Sequence, residues 1–92
     1  MFNPILPKER VKAMNIAGFW PGKLTTDYLD DCIAEAPDKV AVADFNSTTN
    51  KETRLNYRDF GKIVDRIAIG LAELGVDKGD VVSCQLPNWW QF

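Results

Sequence analysis

The sequence contains no histidine. That absence removes Ser–His and Cys–His nucleophile pairs and most zinc sites from consideration. Cysteine is scarce as well. Cys32 and Cys84 stand far apart, in neither metal-ligand nor redox spacing, and read as small apolar packing residues. Basic residues nowhere accumulate: the net charge is −2, and Lys8, Arg10 and Lys12 are interrupted by Glu9. No electrostatic footprint for nucleic acid results, and that segment reads as solvated. No apolar run approaches the length of a membrane span. Pro4, Pro7 and nearby charges interrupt the start, where a signal peptide needs continuous apolar residues. The expected location is cytoplasmic and reducing. Asn46-Ser47-Thr48 then reads as loop polarity and not as a glycosylation site. The six glycines, at 18, 22, 61, 70, 75 and 79, fit neither phosphate-cradling pattern. Ser47 and Ser83 have no general base to activate them.

What is present is ordinary globular composition, 46% hydrophobic and 26% charged in 92 residues. That permits one small domain, near the lower limit for a single core. Residues 1–24 show no period and read as an extended arm, with Phe19 and Trp20 as apolar anchors and Trp20 as its docking point. A helix is predicted over 25–36. Thr25 or Thr26 offers an N-cap hydroxyl, Leu29, Cys32, Ile33 and Ala36 recur at helical spacing, and Pro37 stops it. Asp27, Asp30 and Asp31 lie off that apolar stripe. A capped, soluble helix face accounts for them better than paired catalytic carboxylates. Val40–Phe45 and Arg54–Tyr57 read as a β-hairpin with a longer polar loop between them.

Residues 57–74 carry the clearest signal. Phe60, Ile63, Val64, Ile67, Ala68, Leu71 and Leu74 follow one helical stripe. Asn56 caps its start, and Gly75 closes its end with Val76 folding back. Gly61 and Gly70 are expected to permit close packing of a neighbour, since each costs roughly 1 kcal/mol against alanine. After a turn at Asp77-Lys78-Gly79-Asp80, Val81–Leu86 reads as a strand buried in a larger sheet. Trp89, Trp90 and Phe92 then place three large aromatics in four residues. At about 150–250 Å² each, they rival the largest apolar patch of a typical monomer. Such a patch calls for a cover, either further chain (truncation) or another subunit.

Several segments resemble the adenylate-forming ligase superfamily. Arg54-Leu55-Asn56-Tyr57-Arg58-Asp59-Phe60 is similar to its first core motif, with Asn56 in place of a hydroxyl residue and Asp59-Phe60 in place of Glu-Leu. Gly70–Val76 and Lys78–Val82 resemble its helix-to-strand passage. Gln85-Leu86-Pro87-Asn88-Trp89-Trp90-Gln91-Phe92 resembles a strand end of acyl-CoA synthetases for fatty or alicyclic acids, the cyclohexanecarboxylate-CoA ligase type in particular. Leu24–Leu29 and Ala36–Ala41 fit the opening helix and first strand. The resemblance covers about residues 20–92.

It implies an α/β fold class, the N-terminal portion of the large domain of an adenylate-forming enzyme: helix, β-hairpin, long helix, buried strand. Residues 1–24 would be the arm and 25–92 the start of that domain. It also implies a two-step reaction. ATP with Mg activates a carboxylate as an acyl-adenylate, and the thiol of CoA then displaces AMP. The phosphate loop, ribose-binding acid and mobile lysine of the family belong to later sequence, so no catalytic, cofactor-binding or metal residue is assigned here. ATP, Mg and CoA are expected for the full-length family and not for this segment. The expected partner is the remainder of the adenylation domain. Two alternatives stand beside this scaffold reading: an adenylation-domain segment loading a carrier-protein thiol, and an interaction module self-associating through Trp89, Trp90 and Phe92.

Overall fold

Five regular elements appear in the structure, a computed structural model that describes residues 6–92. They are α1 (Lys8–Ile16), α2 (Thr25–Glu35), β1 (Val40–Asn46), β2 (Lys51–Asn56) and α3 (Tyr57–Glu73). Among these elements α3 touches α2, β1 and β2, and the two strands pair with each other. The apolar stripe explains that central position: one helix face has to be covered, and the hairpin and α2 cover part of it. Coverage is thin. Gly61 is the only buried residue among those described, and Ile67, Ile69 and Leu74 stay more than half exposed.

The strands pair antiparallel from Asn46 opposite Lys51 to Val40 opposite Asn56, with an irregularity between Val40 and Val42. Val42 and Asp44 alternate with exposed Ala43 and Phe45, and Thr53 and Leu55 are half-buried opposite them. The connection is tighter than the polar run suggests. Asn46 Oδ1 accepts from the N–H groups of Thr48 and Thr49 at 2.9 and 3.2 Å, a local turn that asparagine favours. Asn50 adopts φ 55°, a left-handed conformation that asparagine tolerates better than most residues. β2 therefore begins at Lys51 instead of Arg54, and Tyr57 passes to the helix.

Both ends of α3 match the expected caps. Asn56 Oδ1 accepts from the Asp59 N–H at 2.8 Å. Tyr57 and Arg58 donate their N–H groups to the carbonyls of Lys39 and Pro37 at 3.1 and 3.0 Å. An Arg58–Asp38 ion pair at 2.7 Å braces the same corner. At the far end Gly75 has φ 88°. Its N–H bonds to Ala72 and that of Val76 to Leu71, each at 3.0 Å, which is the paired closure of a left-handed cap.

Three expectations need correction. The arm is not extended throughout: Lys8–Ile16 is helical, being rich in good helix formers between Pro7 and Gly18. Pro4 lies outside the described residues. The Trp20 N–H turns back to the Met14 carbonyl, and Trp20 itself is 37% exposed. The cap of α2 is not a threonine hydroxyl. Leu24 is the N-cap, and its N–H donates to Asp27 Oδ2 at 2.7 Å. Val81–Leu86 joins no sheet, with Val81 and Val82 exposed. A strand needs a ladder partner, and the hairpin supplies none to this segment. Cys84 is exposed for the same reason, while Cys32 is half-buried in α2.

The glycines of α3 separate into two kinds. A Cβ on Gly61 would overlap Ile33 Cδ1, so α2 and α3 approach there as closely as glycine allows. Gly70 faces open space and carries no such role. Gly61→Ala is expected to lower stability by about 1 kcal/mol, overpacking outweighing the helix-propensity gain. In an Ile33→Val background, which removes Cδ1, the same change should stabilise by up to about 1 kcal/mol. Gly70→Ala should stabilise by about 1 kcal/mol with no second change. Urea unfolding followed by circular dichroism measures all three. Stabilisation by Gly61→Ala alone would show, against this expectation, that Ile33 Cδ1 turns aside at little cost.

Candidate functional site

Helix N-termini are the usual places for a phosphate to settle, and neither α2 nor α3 offers one. The first three N–H groups of α3 are spent on Lys39, Pro37 and Asn56. Asp59 adds negative charge in its first turn, as Asp27 does in α2. An anionic ligand meets a like charge at both, and at α3 the first donors are occupied as well. Among the described residues no three His, Cys, Asp or Glu side chains cluster as a metal site would require. Asp31, one of the three acids on α2, pairs instead with Lys23 at 2.5 Å. The Lys23 pKa is raised, chiefly by that hydrogen bond. The first donors of α3 and the Lys23–Asp31 pair are thus engaged within the segment itself.

The surface with distinctive chemistry is where residues 87–92 return to α3. The Trp89 N–H bonds to the Pro87 carbonyl at 2.7 Å, and the Phe92 N–H to the Trp89 carbonyl at 3.0 Å, which curls the segment into a turn. Asp44 on β1 anchors it: the Trp90 N–H donates to Asp44 Oδ2 at 2.7 Å, across 46 positions of sequence. The second oxygen, Oδ1, is shielded from solvent with no partner among the described residues. Trp89 and Trp90 are half-buried, whereas Phe92 is 70% exposed. Trp90 and Phe92 line an apolar groove of about 280 Å³ with Phe60, Ile63 and Ile67 of α3. The groove can hold apolar matter. It contains no nucleophile, acid or base.

The Arg54–Phe60 segment straddles the β2–α3 junction, and Asn56 there performs the capping that its motif position implies. The profile of the AMP-binding enzyme family matches residues 29–92, from α2 through the aromatic turn. The chain belongs to the AMP-binding enzyme family. Over 86 residues it is 36% identical to the salicyl-AMP ligase / salicyl-S-ArCP synthetase of Mycobacterium tuberculosis, covering 94% of this chain and 15% of that protein. A salicylyl-CoA synthase / salicylate adenylyltransferase of a Streptomyces species is also 36% identical, covering 94% of this chain and 14% of the relative. The 2,3-dihydroxybenzoate-AMP ligase of Bacillus subtilis is 33% identical over the same share of this chain and 15% of its own length. The chain thus spans about one-seventh of these AMP-binding relatives. No solved structure matches it.

Sequence reasoning found the aromatics and missed Asp44. A signal was present, since Asp44 is the one acid in β1 and alternates inward with Val42. Asp44→Ala should free the turn, removing a hydrogen bond to a charged group worth about 1.5–3 kcal/mol. Tryptophan emission should shift to the red, and Trp90 amide exchange should quicken by at least ~10-fold. Asp44→Asn retains a carbonyl acceptor and should stay near the parent. Equal exchange rates in the parent and the Ala variant would show that Asp44 does not hold the turn.

Proposed function

We propose that this chain is a scaffold section of an adenylate-forming ligase whose whole protein activates an aryl carboxylic acid. The observation that carries this is the family match over residues 29–92, falling on elements whose donors are spent on their own structure. In the whole protein, ATP and Mg would convert the carboxylate to an acyl-adenylate, and a thiol would then displace AMP. The present residues contribute a packed α3–hairpin unit against which the remainder of the adenylation domain folds. They touch no reacting atom.

An aryl acid is favoured over a fatty or alicyclic one because three relatives carry salicylate or dihydroxybenzoate in their names. The alicyclic reading, and with it the cyclohexanecarboxylate type, rests on the Gln85–Phe92 run. The acceptor thiol has support in both forms. One relative is named for transfer to a carrier protein and another for transfer to CoA.

Two measurements test the scaffold role. The 92-residue chain with ATP, Mg and salicylate should release no pyrophosphate and show no saturable nucleotide binding; micromolar ATP affinity would overturn the reading. Conversely, residues 29–92 exchanged into the Mycobacterium tuberculosis salicyl-AMP ligase should leave adenylation within ~10-fold of the parent, about 1.4 kcal/mol in the barrier. A folded, inactive chimera would place chemistry in this segment.

A further inference from the structure

We draw no further inference here: the strongest candidate, the apolar groove between α3 and the aromatic turn, lies on a chain that spans about one-seventh of its relatives, and nothing in the structure shows what covers it.

Discussion

The apolar stripe of α3 is the constraint on which the rest of the molecule depends. A helix with Phe60, Ile63, Val64, Ile67 and Leu71 along one side cannot leave that side in water without losing roughly 1.5–3 kcal/mol per large side chain. Each neighbouring element lies where it covers part of the stripe. α2 crosses at Gly61, with Ile33 seated where a side chain would otherwise stand. The hairpin offers the Val42 and Leu55 face, and the aromatic turn offers Trp90. None of the three covers the whole length, which is why burial stays partial throughout.

The same economy bears on function. An AMP-binding enzyme needs free backbone donors for phosphates and a cation for charge. In this segment the donors at the start of α3 are already committed to Lys39, Pro37 and Asn56, and acids occupy the first turns of α2 and α3. What gives the helix a sharp beginning also makes it a poor anion site. The most distinctive surface of the segment, the groove between α3 and the aromatic turn, is apolar.

How much of this was legible depended on whether a residue's role is local. The stripe of α3, the Asn56 cap and the Gly75 closure all involve neighbours within a few positions, and periodicity with capping chemistry exposed them. The hairpin was legible for the same reason, although its turn proved tighter because Asn46 and Asn50 hold it. α1 escaped notice because its nine residues present no apolar period. Val81–Leu86 has strand composition, but composition reports a preference for a ladder and not the presence of a neighbouring strand. Of the candidate surface, the aromatics were plain, while Asp44 was hidden because its partner lies far along the chain.

That distance has a dynamic consequence. The hairpin and α3 form through short-range contacts, which appear early and cheaply in folding. The Asp44–Trp90 hydrogen bond closes a span of 46 positions, and such a closure is entropically costly until the ends already have a surface to meet on. Asp44 therefore ties the aromatic turn to the hairpin across the longest sequence interval bridged by any side-chain hydrogen bond among the described residues, and the position of Trp90 over α3 inherits the geometry of β1.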